Sequence, residues 1–326
     1  MPNTILLPLL ANGEFHSGQD LAVALGVSRT AVWKQLNKLE VLGLEIESVK
    51  GRGYRIPGGV NLIDESRVRA GLDATSAGLL SDLDVREVID STNMEALRQI
   101  ERGARSGLVC TAEQQTAGRG RRGRPWVSPF ARNVYLSVVW EFSQGAAALE
   151  GLSLAVGVAV AGALKGFGLP PVALKWPNDL LYDGAKLGGV LLEMVGNATD
   201  KCQVVVGIGL NVAMPPSVAS GIDQSWTDLS KMSGNDRAPD RNQLLSALLN
   251  TLLPLLAGYE QGGFAEWREA WQALDAHAGK PVILSAGAEK TAGIARGVDE
   301  RGALQLETSL GVQAIYGGEI SLRDNS

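Results

Sequence analysis

Residues 118–126 read Gly-Arg-Gly-Arg-Arg-Gly-Arg-Pro-Trp, four arginines interleaved with three glycines and no acid to offset them. Glycine lets backbone amides turn close to a ligand. Arginine brings a forked, permanently charged donor suited to phosphate or carboxylate oxygens. A stretch built this way repels itself and is expected to order around an anion. Its spacing is not the GxxxxGK[ST] of a P-loop, so it is not an ordinary triphosphate cradle. Taken alone, a solvated basic loop touching nucleic acid accounts for Arg119, Arg121, Arg122 and Arg124 equally well.

Five polar clusters fall at predicted strand ends and turns of the same region. Asp90-Ser91-Thr92-Asn93 separates a strand from a helix. Ser91, Thr92 and Asn93 either cap that helix or ring a polar head group such as a urea, which needs donors and acceptors together. Glu113-Gln114-Gln115-Thr116 runs straight into the arginine loop, and Lys175-Trp-Pro-Asn-Asp179 ends another strand. Lys186-Leu-Gly-Gly189 brings a lone lysine into an apolar strand, while Gly207-Ile-Gly-Leu-Asn211 closes one. Caps and turns explain each cluster singly. Five in one segment, beside an anion loop, are harder to dismiss.

Periodicity predicts the elements that carry these clusters. Strands are expected at 85–89, 107–112, 133–140, 172–176, 188–194 and 203–209, with helices at 152–165 and 241–261. That alternation describes a sheet covered by helices. After residue 279 short strands are expected at 281–285, 290–298, 304–307 and 312–316, a small barrel that needs its neighbour's surface for stability.

The first 57 residues read differently. A short apolar helix at 5–11 is followed by Ser17-Gly-Gln-Asp20, which resembles a capping box, and a helix over 19–25 that stops at Gly26. Ser28 caps the next helix, whose Val32, Leu36 and Leu39 form one buried stripe. Its other face offers Arg29, Thr30, Trp33, Lys34 and Asn37. A predicted hairpin then places Lys50 and Arg52 at its tip. Helix, turn, polar-faced helix and basic hairpin make a winged helix-turn-helix. Residues 29–55 hold six basic and three acidic side chains, a local excess of +3 in a chain of net charge −5. DNA binding outweighs protein docking, because both basic features fall where groove and backbone contacts are made.

At 326 residues, 45% hydrophobic and 20% charged, the chain exceeds one ordinary core. The negative net charge excludes general polyanion coating. Cys110 and Cys202 are expected to be reduced, buried fillers. His16 and His277 belong to no ligand cluster, so no metal site is expected. The first ten residues lack the features of a signal peptide. The apolar run 151–164 falls short of the ~20 residues a bilayer span needs. A cytoplasmic protein without membrane contact is expected.

Ser91-Thr92-Asn93, the arginine loop with Trp126, Lys175-Trp-Pro-Asn-Asp179, Lys186-Leu-Gly-Gly189 and Gly207-Ile-Gly-Leu-Asn211 together resemble the signature set of biotin protein ligases. The winged helix and the terminal Gly-Gly-Glu-Ile-Ser-Leu-Arg323 resemble the bifunctional BirA type in particular. The resemblance spans nearly the whole chain. It implies an α+β chain of three domains: a winged helix (1–60), a central mixed α/β ligase domain of the biotinyl/lipoyl-synthetase type (61–276) and a C-terminal SH3-like β-barrel (277–326). The implied activity is that of a biotin–[acetyl-CoA-carboxylase] ligase. Biotin and ATP give biotinyl-5′-AMP, and biotin then passes to a lysine of the biotin carboxyl carrier protein. The implied second role is repression of biotin synthesis, with biotinyl-5′-AMP as corepressor promoting a homodimer that binds operator DNA.

The resemblance also implies roles for residues. Ser91, Thr92, Asn93 and Gln115 would surround the ureido ring. Arg119, Gly120 and Arg121 would close over the carboxylate and phosphate, with Lys186 on the reacting oxygens; Lys186, Arg119 and Arg121 are the candidate catalytic groups. Arg121, Arg124, Lys175, Asn178, Asn211, Trp226 and Arg323 would serve ATP. Ser28, Arg29, Thr30, Trp33, Lys34, Asn37, Lys50 and Arg52 would meet DNA. Substrates are ATP with Mg2+ as counter-ion, and biotin, with no tightly bound prosthetic group. Met94 and Pro125 depart from the family pattern and are expected to lie away from the chemistry. A ligand-sensing repressor with an inactive ligase domain, and a lipoate ligase, are the competing readings. Intact Arg119, Arg121, Lys175 and Lys186 oppose the first, and Ser91-Thr92-Asn93 opposes the second.

Overall fold

The computed structural model describes residues 3–145, 149–196, 201–218, 220–233, 238–286, 289–316 and 320–324. Helices α1 (Asn3–Leu10), α2 (Gly18–Leu25) and α3 (Arg29–Val41) form the first unit. Ser17 Oγ accepts from Asp20 N at 3.0 Å and Ser28 Oγ from Ala31 N at 3.2 Å, so each hydroxyl satisfies an otherwise orphaned helix amide. Val32, Leu36 and Leu39 are buried in one cluster with Leu6, Leu10 and Leu21. Strands β1 (Glu47–Val49) and β2 (Gly53–Arg55) pair antiparallel as the wing. Tyr54 and His16 exchange two backbone hydrogen bonds of 2.9 Å, which pins the wing to the segment before α2.

The chain then runs onto the central body, where a buried ion pair receives it. Arg241 Nη2 lies 2.6 Å from Glu113 Oε2, and Glu113 Oε1 accepts from Ile63 N at 2.5 Å. The same guanidinium donates to the carbonyls of Asn133 and Asn61. A buried charge pair tolerates loss of neither partner, so this hub fixes the 61–63 segment. Phe130 and Ala131 of the central body join the core of the first unit.

The central elements are α4 (Glu65–Ala70), α5 (Ala74–Leu79), β3 (Asp82–Ile89), α6 (Thr92–Glu101), β4 (Leu108–Gln115), β5 (Val134–Phe142), α7 (Leu152–Lys165), β6 (Ala173–Lys175), β7 (Asp179–Tyr182), β8 (Ala185–Gly196), β9 (Cys202–Leu210), α8 (Leu229–Met232), α9 (Arg241–Gly262) and α10 (Ala265–Ala273). Seven strands form one sheet in the order β3-β4-β5-β9-β8-β7-β6, with only β3 and β4 parallel. Leucines of α9 and the Ala/Val/Leu side of α7 belong to the main core. Ala96 of α6 packs in a separate cluster with Leu108, Cys110, Val139 and Val205. Both cysteines are free and buried, and burial pushes the Cys110 thiol up to about 12. Strand β7 escaped the periodicity reading because it is four residues long and follows Pro177-Asn178 directly.

The last unit holds β10 (Pro281–Ala286), β11 (Glu289–Val298), β12 (Leu304–Thr308), β13 (Gly311–Ile315) and β14 (Ile320–Asp324), all antiparallel in the order β13-β12-β11-β10-β14. The fifth strand, β14, was not expected. It pairs with β10 and carries Arg323 opposite Ile283. The expected turn at Gly317-Gly318 lies outside the described residues. Val282, Leu284, Val298 and Leu306 belong to the main central core, so the small unit does draw on its neighbour's surface. Trp176 Nε1 donates to Gly302 O at 3.0 Å across that boundary.

Candidate active site

One cavity of about 760 Å3 gathers residues from all five polar clusters. Ser91, Thr92, Asn93, Gln115, Arg119, Gly120, Arg121, Arg124, Lys175, Asn178 and Lys186 all line it. Asp179, Trp126 and Gly207 to Gly209 complete much of the wall.

Helix α6 begins in this wall. Ser91 occupies its N-cap position yet makes no capping hydrogen bond, so capping does not explain this serine. Thr92 N donates to Gln115 Oε1 at 2.9 Å, and Thr92 Oγ1 lies 3.2 Å from the same oxygen. The buried Ser137 Oγ is 2.8 Å from Thr92 Oγ1 and 2.6 Å from Asn93 Oδ1. Two hydroxyl protons cannot fill three contacts, so the row keeps spare acceptor capacity for ligand N–H donors. Asn93 Nδ2 donates to Glu193 Oε2 at 2.7 Å. Gly207 and Gly209 on β9 leave room for this arrangement. A Cβ at Gly207 would meet the Asn93 amide, with Cγ at 2.8 Å, and one at Gly209 would meet the Trp126 ring at 2.6 Å.

Beside this row the arginine loop folds back on itself. Gly120 N donates to Arg124 O and Trp126 N to Gly118 O, each at 2.8 Å. These backbone bonds hold the loop in a tight reverse turn. Arg122 takes a left-handed conformation there, with φ 57°. Arg121 Nη1 donates to Asn178 Oδ1 at 3.3 Å, and Asn178 Nδ2 donates to Val190 O at 2.8 Å. Burial lowers the Arg121 pKa; Asp179 opposes this, and Arg122 and Arg124 add to it. Its guanidinium stays charged, and an anion beside it relieves the desolvation cost. Lys186 Nζ sits 2.7 Å from Asp179 Oδ1 and 5.7 Å from the Trp126 ring centroid.

Not every expected residue reaches the cavity. Asn211 is buried and donates from Nδ2 to Thr227 O at 3.0 Å, holding a neighbouring segment rather than lining the wall. That segment pairs with Lys186, whose N donates to Ser225 O and whose O accepts from Thr227 N, both at 2.9 Å. Trp226 lies within it, half-buried, with Lys231 Nζ 3.8 Å from its ring centroid, and it too is absent from the cavity wall. The Arg323 side chain lies outside the described residues. Met94 and Pro125 need correction in the opposite sense. Met94 Sδ accepts from Arg119 Nη2 at 2.8 Å, and Pro125 lines the cavity and bridges to Arg119.

Sequence reading missed Ser137 and Glu193, which hold Asn93, and the wall at Gly221-Ile-Asp-Gln224. A serine inside the apolar run of β5 was the available signal for Ser137. The 221–224 segment has no periodicity to reveal it. Among the described residues, no group of three or more His, Cys, Asp or Glu is placed to hold a metal, and no helix is long and apolar enough to cross a membrane.

The expected DNA-facing residues sit on one helix and one hairpin. Ser28, Arg29, Thr30, Lys34, Lys50 and Arg52 are exposed, Trp33 is 53% exposed, and Asn37 is half-buried. Arg52 and Arg55 both stack on Phe15, 4.0 and 4.5 Å from its ring centroid.

A helix–turn–helix over a wing, a mixed sheet with an anion loop and a terminal antiparallel sheet define a DNA-binding ligase. Family models agree in order: an HTH domain over residues 3–55, the biotin/lipoate A/B protein ligase family over 85–211, and the biotin protein ligase C-terminal domain over 277–323. The chain is 42% identical over 318 residues to the bifunctional ligase/repressor BirA of Escherichia coli, covering 98% of this chain and 96% of that one. It is 32% identical to the corresponding protein of Bacillus subtilis, covering 96% and 95%. The biotin protein ligase of Aquifex aeolicus, solved in complex with biotin and ATP, superposes with a TM-score of 0.64 at 29% identity, over 76% of this chain and all of that one. The chain belongs to the BirA-type family of bifunctional biotin protein ligase/repressors.

Proposed function

We propose that this chain is a biotin–[biotin carboxyl carrier protein] ligase that also represses transcription of biotin synthesis, divided at 1–60, 61–276 and 277–326. The single supporting observation is one cavity lined both by a donor–acceptor row of Ser91, Thr92, Asn93 and Gln115 and by Arg121 and Lys186. The row suits a neutral urea, and the cations suit a carboxylate meeting a phosphate.

In the first step a biotin carboxylate oxygen attacks the α-phosphorus of MgATP. The new P–O bond forms as the bridge to the β-phosphate breaks and pyrophosphate leaves. Negative charge crowds at that phosphorus. Lys186, Arg119 and Arg121 offset it from preorganised positions. Gly120 gives the phosphate access to backbone, and Arg124, Lys175 and Asn178 serve the nucleotide. Asn211 holds the 225–227 segment beside Lys186, and Trp226 and Arg323 serve the nucleotide. In the second step the carrier lysine's amine attacks the acyl carbon. A C–N bond forms, AMP leaves and the amine's proton passes to solvent.

The repressor half uses biotinyl-5′-AMP as corepressor. It promotes a homodimer whose paired recognition helices and wings meet a two-fold operator, with Ser28, Arg29, Thr30, Trp33, Lys34, Asn37, Lys50 and Arg52 facing DNA. Dimerisation and carrier binding compete for one surface. The protein works in the cytoplasm without membrane contact. Mass spectrometry of a carrier domain incubated with this protein, ATP and biotin tests the central claim. A mass gain of one biotin on one lysine is expected. No gain, together with no biotin-dependent pyrophosphate exchange, refutes the ligase and favours a sensor.

A further inference from the structure

Arg119 spends its Nη2 on one carboxylate and one thioether. It lies 3.1 and 3.4 Å from the two oxygens of Glu193 and 2.8 Å from Met94 Sδ. Glu193 Oε2 also accepts from Asn93 Nδ2 at 2.7 Å, and Asn93 Oδ1 is 2.6 Å from Ser137 Oγ. One carboxylate thus touches both the loop and the head-group row. It stands on β8, whose Glu193 pairs with Val205 of β9, so it is a rigid anchor for a glycine-rich loop. The ion pair is partly shielded, with side chains 39% and 25% exposed for Arg119 and Glu193. Elsewhere on the loop, Arg121 donates to the Asn178 amide.

We propose that Glu193 is a positioning residue that ties the Arg119 arm of the loop to the head-group row, so that an occupied row holds the loop shut over the acyl-adenylate. The inference rests on the proposed reading of this cavity. Its physical content is an anion shared by two donors. Ligand in the row fixes Asn93, Asn93 fixes the carboxylate, and the carboxylate fixes Arg119. Met94, whose sulfur meets the same guanidinium, limits where that arm can swing.

Glu193→Gln isolates the link. Its amide oxygen can still accept from Asn93, while its NH2 replaces the charge that held Arg119. The experiment preloads the full-length protein with radiolabelled biotin and MgATP, chases with unlabelled biotin, and follows release of biotinyl-5′-adenylate. Glu193→Gln and Arg119→Ala are each expected to release it about tenfold faster, the factor of one charged hydrogen bond at a half-exposed site. The double variant is expected to match Arg119→Ala, and Glu193→Asp to fall between Gln and the unmodified chain. Thermal melting of each variant checks that the fold persists. Unchanged release in Glu193→Gln beside fast release in Arg119→Ala overturns the inference and leaves the reading of Arg119 standing. Multiplying effects in the double variant also overturn it. Unchanged release in Arg119→Ala overturns both.

Discussion

Replacing Gly207 by alanine tests the head-group row through a residue that has no side chain of its own. Gly207 sits in the middle of β9, paired to Ser137 of β5 on one side and Leu191 of β8 on the other, so its backbone cannot retreat. A Cβ there would overlap Asn93 Oδ1 and lie 2.8 Å from both Cγ and Nδ2. Asn93 must swing away and give up its contacts with Ser137 and Glu193. A neutral hydrogen bond contributes about 1 kcal/mol and a charged one roughly 1.5–3 kcal/mol. The partial exposure of Glu193 places the second near its lower end, giving a total of about 2.5 kcal/mol. Those contacts are lost from the free and bound protein alike, so biotin affinity falls only by the hydrogen bond the displaced Asn93 no longer gives the ligand, about 1–1.5 kcal/mol or roughly tenfold. Titration calorimetry with biotin alone measures it. In an Asn93→Ala background the obstacle is gone, so Gly207→Ala is expected to cost less than about twofold there. Binding within about threefold of the unmodified protein, or an equal loss in both backgrounds, refutes the role given to Asn93.

Lys186→Ala is expected to lower biotin-dependent pyrophosphate exchange at least ~100-fold, the scale of one preorganised electrostatic contact, with the fold retained; an unchanged rate removes Lys186 from the chemistry. Substituting Lys34 or Arg52 by alanine should weaken operator binding and reduce its salt slope by about one each in electrophoretic mobility-shift titrations, without altering ligation. Equal losses in both activities contradict separable modules. Asp90 is held at about 2 by its hydrogen bonds with Arg98, which outweigh burial. A carboxylate with a depressed folded pKa adds stability that is present above the ordinary aspartate range and lost as pH falls through about 2. Because the pair is 34–44% exposed, Asp90→Asn should cost only about 0.5–1 kcal/mol in denaturant melts at pH 7. The difference should vanish near pH 2 if the protein remains foldable there under stabilising salt, and a pH-independent difference would contradict the ion-pair account.

Much of the site's inventory was legible before any fold was known. Arginine-glycine alternation, a Ser-Thr-Asn row and lone lysines in apolar surroundings are statements about side-chain chemistry, which the chain order carries directly. The caps Ser17 and Ser28 were equally readable, since a capping bond closes within three residues. Partners at long range were not. Asn93 and Glu193 are one hundred residues apart, and Met94 reaches Arg119 across twenty-five. Nothing in local spacing marks Glu193 or Met94 as their partners. Asn211 illustrates the converse. Its motif is plain in the sequence, but its amide is taken by Thr227 O, a contact set by how β9 and the 225–227 segment meet at Lys186.

The sequence by itself determined most of the elements and which chemical groups are available, because periodicity, caps and turns act over a few residues. Tertiary structure alone decided which groups face one another. The sheet order places β8 beside β9 and brings Glu193 and Gly207 together against Asn93. Side chains brought together only by strand pairing and core packing have no local signature, since the free energy that joins them is collective burial rather than any short-range preference.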